Sequence, residues 1–435
     1  MAQELVSGLA RSAGRSDSYL LRCWHDLVEG NATFSDFLSS VRQKRQLTYL
    51  TIDTTGACDL KCSGMCYYHP GISLGKNPVE ETLLRQAIRQ ANDSLSLRVL
   101  TFAGKEPFLN APRLFSLAEY AGSIPSRDFA IGIVTNGRHI AKHKQKLVEL
   151  SQSGGLDYID VSIDSANPVE HDQLRGIEGT HQLATEAVRW LNSELPQIRT
   201  TVPSVLRREN AAGVLGLVRL LAPFNRHFQI QPIQPPPNSP FASLSAGDIL
   251  AFIDDLTNIL SGPLQNAGIE VSVELLGVYL LEAVQHGVFD WSDIQEDENH
   301  VLYVERSIGG NSLVITCEVF PLQAWRLARI TYNGTYLAHM HFLQSMRPEE
   351  FAVGSLQENT ILELFDRATA PGSHFAQVVE TRETHDCRSR PCWNNCFGGW
   401  NGAENAFLEN SRKLTDQPRL CTKGEADFAK LLQDV

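Results

Sequence analysis

LTYLTIDTTGACDLKCSGMC, residues 47–66, runs from an apolar, β-branched stretch straight into three cysteines, Cys58, Cys62 and Cys66, each separated from the next by three residues. The apolar run reads as a buried strand and the cysteines as the loop that leaves it. Three thiols crowded there fit a zinc knuckle, a disulfide cluster, a redox pair with a spare, or three corners of an iron–sulfur cluster. Nine cysteines in 435 residues is not disulfide-scaffold density, and in a reducing compartment clustered thiols hold metal more often than each other. Zinc closes with four ligands, commonly in pairs; here three are bunched and His69 is the candidate fourth. Three thiolates on a four-iron cube instead leave one iron open for another ligand.

Working outward, β-branched runs recur at LTYLTID (47–53), LRVLTF (97–102), FAIGIV (129–134), DYIDVSI (157–163), QIRTTV (197–202) and FQIQPI (228–233). Between them lie helix-like segments at about 79–94, 112–121, 140–152, 168–192 and 209–222. Strands alternating with helices give repeated βα units and a parallel sheet, whose reactive groups gather at the carboxyl ends of the strands. The loops AGKEP (103–107), TNG (135–137) and DSA (164–166) sit at such ends, as does the cysteine loop. The domain boundaries expected are a helical segment over 1–45, a barrel-like unit over 46–240 closed by QPPPNSP (234–240), a helical connector over 241–310, and a cysteine-bearing region over 311–435.

Composition narrows the functions. With 43% hydrophobic and 20% charged residues the chain is an ordinary globular protein. A net charge of -12 without a dense Lys/Arg block argues against nucleic acid as partner. The first thirty residues lack an unbroken apolar core and no segment reaches 18 consecutive apolar residues, so the expectation is a cytoplasmic protein that does not meet a membrane.

Five motifs in this order resemble the radical S-adenosylmethionine (radical SAM) superfamily over roughly residues 46–235. They are the cysteine loop, FAGKEPFLN (102–110), VTNG (134–137), VSIDS (161–165) and HDQLRG (171–176). The resemblance implies an α/β fold, a partial (β/α)6 radical SAM barrel. It also implies that Cys58, Cys62 and Cys66 hold a [4Fe–4S] cluster whose fourth iron binds S-adenosylmethionine (SAM). Glu106, after Gly104 and with Lys105 in place of a second glycine, would accept the SAM ammonium; Asn136 and Ser162 would contact its ribose and methionine portions. The superfamily pattern has two residues between the last two cysteines where this chain has three, which puts Met65 where an aromatic normally covers the adenine and leaves Tyr67 as a substitute.

CEVFPLQAWRLARITYNGTYLAH (317–339) and CRSRPCWNNCFGGW (387–400) resemble the auxiliary-cluster SPASM domain, so a C-terminal SPASM-like iron–sulfur domain is expected. His339 and Trp400 stand where two of that domain's cysteines would be, so its first auxiliary cluster is not expected. Cys387, Cys392, Cys396 and Cys421 remain as a complete four-thiolate set for a second [4Fe–4S] cluster, acting as an electron relay, with zinc as the alternative metal. Cys317 and Cys23 read as buried small hydrophobes.

Thr51, Asp53 and Thr55 share one face of the first strand. His171 and Arg175 read as bracing the helix after strand four, Gln229 and Gln231 reach either substrate or neighbours, and His139 and His143 read as solvent-facing. The three-residue cysteine spacing and the single surviving auxiliary site resemble the radical SAM diol dehydratases of apramycin and tobramycin biosynthesis. That implies a small aminoglycoside substrate such as paromamine and loss of its C3′ hydroxyl as water. An external flavodoxin- or ferredoxin-like electron donor and a separate NADPH-dependent reductase acting on the product are implied with it. Asp53 and Asp164 would then be the catalytic carboxylates, pairing substrate ammonium groups or removing a proton. The alternatives are a peptide maturase, for which the 45 residues before the barrel look short of a leader-binding module, a sugar-nucleoside decarboxylase, and a non-enzymatic zinc or electron-relay protein.

Overall fold

The computed structural model describes Tyr19, residues 31–32, 34–62, 66, 77–233, 244–276, 283, 286–297, 301–318, 326–338, 352–370 and 373. The six expected strands form: β1 (Tyr49–Asp53), β2 (Val99–Ala103), β3 (Ala130–Thr135), β4 (Tyr158–Val161), β5 (Arg199–Leu206) and β6 (His227–Pro232). They pair in parallel in chain order, with helices between consecutive strands. After α1 (Phe34–Lys44) these helices are α2 (Glu81–Ser94), α3 (Ala111–Gly122), α4 (Lys144–Gln152), α5 (Pro168–Arg175), α6 (Thr180–Glu194) and α7 (Ala211–Leu221). Their apolar stripes face the sheet. In α2 the buried residues are Leu84, Ala87, Ile88 and Ala91, the i, i+3, i+4, i+7 spacing of one helix face. Burial of each such Leu or Ile contributes roughly 1.5–3 kcal/mol.

The expected helix over 168–192 is two helices. Gly176 ends α5 at φ 72°, and a Cβ there would stand 2.6 Å from the Lys61 carbonyl oxygen, so both the left-handed turn and the close approach of the cysteine loop require glycine.

The expected helical connector over 241–310 differs more. It holds α8 (Ala246–Ser261) but also β7 (Glu270–Leu276), β8 (Gln295–Glu296) and β9 (Leu302–Ile308). β7 pairs in parallel with β6, making a seventh βα unit. EVSVELL alternates, with Val271, Val273 and Leu275 fully buried, but Leu and Glu also suit helices and mask that period.

The remaining described strands are β10 (Asn311–Glu318), β11 (Leu327–Ile330), β12 (Thr335–Leu337) and β13 (Ala352–Ser355), followed by α9 (Ile361–Ala368). β10 joins β7 in parallel on one side, and β11 joins β1 in parallel on the other. The sheet order is β13-β12-β11-β1-β2-β3-β4-β5-β6-β7-β10-β9-β8. This order forces curvature. Eight strand steps of about 4.8 Å would set β10 and β11 roughly 38 Å apart in a flat sheet. The nine residue steps from Glu318 to Leu327 span at most about 32 Å. The sheet therefore curls so that β10 and β11 are drawn toward each other, as in an open barrel. Described strands from 311 onward extend this barrel sheet at both edges.

Candidate functional site

The cysteine loop is tied down at three places around the carboxyl ends of the strands. The Glu106 N–H donates to the Ala57 carbonyl at 3.1 Å, and the Lys61 N–H donates to the Arg175 carbonyl at 3.0 Å. Asp59, between the first two cysteines, binds the loop after β3: it accepts from Asn136 Nδ2 at 3.1 Å, meets His139 Nε2 at 2.9 Å, and pairs with Arg138. Burial alone lifts the Asp59 carboxyl, but the His139 and Asn136 hydrogen bonds and the Arg138 charge outweigh it and hold it below the ordinary aspartate range. The expectation that His139 faces solvent is thus corrected, and so is that for His143, whose ring stacks on Phe108 with centroids 5.4 Å apart.

Cys58, Cys62 and Cys66 are free thiols. Burial pushes the Cys58 thiol up to about 11, and the charges of Cys62, Glu106 and Cys66 push the same way. Groups that raise one another in this manner share one space. Among the described residues no three His, Cys, Asp or Glu side chains converge on a single-ion site. Burial also raises Cys62, against a charge and hydrogen bond from Arg175; a bound cation would deprotonate both thiols.

Glu106 is the second feature. Gly104, at φ 97°, lets the AGKEP loop pass Asp53, since a Cβ would stand 2.8 Å from the Asp53 Cα. Lys105 follows at φ 45°, the left-handed conformation that a second glycine would adopt freely. Glu106 is then fully buried and accepts from Asn136 N at 2.8 Å, Thr135 Oγ1 at 2.8 Å and Phe108 N at 3.2 Å. Burial nevertheless pushes its carboxyl up to about 7, and the nearby Asp59 charge pushes it the same way. A buried carboxylate of this kind fits a cationic ligand group.

Asp164 and Asp53 are both buried beside arginines. Asp164 is fully buried, with Oδ2 2.7 Å from Arg175 Nε and Oδ1 accepting from Val205 N at 3.1 Å. His171, driven by burial down to about 4 against the Asp164 charge, is neutral, and its Nδ1 accepts the Asp164 N–H at 3.1 Å. His171 and Arg175 brace this corner as expected. Asp53 is equally buried and lies 2.6 Å from Arg329 Nη2 on β11. At both positions expected to carry catalytic carboxylates, the carboxylate is engaged by an arginine. Ser162 is tied to β3 through its N–H, which donates to the Thr135 carbonyl at 3.0 Å, and Ser165 binds Glu170 rather than the cysteine side. Gln229 and Gln231 are partly exposed and alternate with buried Phe228 and Ile230. Met65, Tyr67, His69, Cys23, His339, Trp400, Cys387, Cys392, Cys396 and Cys421 lie outside the described residues, as does the side chain of Cys317. Asp59 and Arg138 went unread in sequence; the signal was an acidic residue inside the cysteine spacing and a basic one just after TNG.

No helix among the described residues is long and apolar enough to cross a membrane. The profile of the radical SAM superfamily matches residues 52–221. An AdoMet-dependent heme synthase of Methanosarcina barkeri is 29% identical over 154 residues, 34% of this chain and 41% of that protein. The chain thus spans about two fifths of the length of the curated relatives it matches. Among solved structures, Streptococcus suis SuiB bound to precursor peptide SuiA superposes with a TM-score of 0.61 at 14% identity, over 89% of this chain and 79% of that one. anSMEcpe with bound AdoMet and Cp18Cys peptide gives 0.57 at 16% identity, over 88% and 98%. The superfamily uses SAM and [4Fe–4S] clusters, in keeping with the free thiols and the buried Glu106 carboxylate. The part of this chain that is similar to the radical SAM superfamily is residues 52–221, the stretch that carries the cysteine loop and Glu106.

Proposed function

We propose that the protein is a radical SAM enzyme that removes a hydrogen atom from a bound substrate. The observation that carries this reading is Glu106, a fully buried carboxylate with three fixed donors and no basic partner among the described residues, near the free thiol of Cys58. Cys58, Cys62 and Cys66 would hold the cluster, which together with bound SAM and an external electron donor would supply the hydrogen-abstracting radical chemistry. Glu106 accepts the SAM ammonium, Thr135 and Asn136 fix that carboxylate, and Asp59 holds the cysteine loop against β3.

The test is anaerobic reconstitution with iron and sulfide, then SAM and dithionite, with 5′-deoxyadenosine read by mass spectrometry. No deoxyadenosine from iron-loaded protein would refute the reading. Glu106→Gln replaces a charge-assisted hydrogen bond worth about 1.5–3 kcal/mol, so SAM affinity should fall roughly 10–150-fold, measured by equilibrium dialysis. Asp59→Asn disrupts a bridge at the surface and should cost about 1 kcal/mol or less in urea unfolding, while iron release to a chelator quickens.

For the substrate, the peptide-bound structures that this chain superposes on support peptide maturation, and we place that reading first. The three-residue spacing from Cys62 to Cys66 supports a second reading, dehydration of the C3′–C4′ diol of an aminoglycoside such as paromamine, completed by an NADPH-dependent reductase. Loss of two hydrogens from a precursor peptide or loss of water from paromamine separates the two by mass. Cys387, Cys392, Cys396 and Cys421 are proposed as the auxiliary [4Fe–4S] ligands in either case.

A further inference from the structure

The concave face of the sheet carries polar side chains that the radical chemistry does not use. Along β4 the side chains alternate, with Ile159 and Val161 fully buried toward the helices and Tyr158 and Asp160 on the other face. The Tyr158 ring lies across Gly132, where a Cβ would stand 1.9 Å from the ring, and its hydroxyl reaches Thr101 Oγ1 on β2 at 2.6 Å. This pair spans β3 and forms a floor inside the curl.

Asp160 sits two residues above that floor and two below Ser162, about 6.6 Å along the strand in each direction. Its side chain is partly accessible, on the face of the sheet opposite the helices. Thr201, its register partner on β5, hydrogen bonds to it, and Gln229 on β6 stands one row higher opposite Pro203. Burial pushes the Asp160 carboxyl up to about 7 against the Thr201 hydrogen bond and the Arg199 charge. Arg199 itself is committed to Glu270 at 2.5 Å.

We propose that Asp160 is a substrate-recognition carboxylate in the barrel lumen that pairs with an ammonium group of the substrate, with Thr201 orienting it and Gln229 adding a hydrogen bond. This rests on the radical SAM reading and narrows its substrate to an amine-bearing one. The ammonium belongs either to an amino sugar or to a lysine side chain of a peptide, and the two sources share this chemistry.

Calorimetric titration of the reconstituted protein with SAM tests it. The probes are paromamine, acetyl-Gly-Lys-Gly-amide and, as an apolar control, acetyl-Gly-Leu-Gly-amide. One ammonium probe should bind saturably and the leucine peptide should not. Asp160→Asn should weaken that probe about tenfold or more, the loss of a charged hydrogen bond, and Gln229→Leu should weaken it less. Circular dichroism and iron content confirm that the variants are folded and loaded. Neither ammonium probe binding, the leucine control binding equally, or an unchanged affinity in Asp160→Asn would each overturn the proposal. Wild-type protein that forms 5′-deoxyadenosine but shows one of these results loses only this inference; wild-type protein that forms none loses the radical reading itself.

Discussion

Cys62→Ala should abolish 5′-deoxyadenosine formation and leave the reconstituted protein one [4Fe–4S] equivalent short of iron. Cys62 is the middle thiol of the loop, and its partners explain why no neighbour can replace it. The Lys61 N–H holds the loop to the end of α5, Gly176 leaves no space for the loop to shift inward, and Arg175 faces the sulfur itself. An alanine therefore removes a ligand at a fixed point, and a cube left with two thiolates on this loop is not retained. Iron analysis and mass spectrometry on the same sample check both halves. Full iron content in Cys62→Ala would mean that the loop is not the cluster site.

Asp164→Ala should cost about 3–5 kcal/mol of stability, the usual consequence of leaving one partner of a buried pair uncompensated. Asp164 is fully buried, and Arg175, almost as enclosed, loses its one carboxylate partner at 2.7 Å. The Val205 N–H at 3.1 Å loses its acceptor as well. Urea unfolding measures the cost, and a double-mutant cycle identifies its source. If the ion pair is responsible, Asp164→Ala with Arg175→Ala should cost less than the two single changes together. Additive losses would assign the cost to packing instead.

Much of this was legible before the structure. The six strands and the loops at their carboxyl ends follow from period-two runs separated by helical spacing, and the cysteine loop and Glu106 stand out by residue type. What escaped reading depended on partners distant in sequence. Nothing near Asp53 announces Arg329, which arrives on β11 after the chain has crossed from one sheet edge to the other. Asp164 and Asp53 look like free carboxylates in sequence because a strand's neighbours on its open face come from other strands. His139 looked solvent-facing because its helical surroundings are polar, while the residue that holds it, Asp59, lies 80 positions earlier. β7 was hidden by helix-forming leucines and glutamates in a segment whose alternation was nonetheless present.

The central claim, that Cys58, Cys62 and Cys66 hold a cluster that reduces SAM, meets its most direct test in electron paramagnetic resonance of the iron-reconstituted, dithionite-reduced protein before and after SAM is added. A reduced [4Fe–4S] signal whose shape changes on adding SAM, and changes no longer in Cys62→Ala, is the predicted result. Protein that takes up zinc and shows no iron signal, or a cluster signal indifferent to SAM in the wild-type chain, would contradict it.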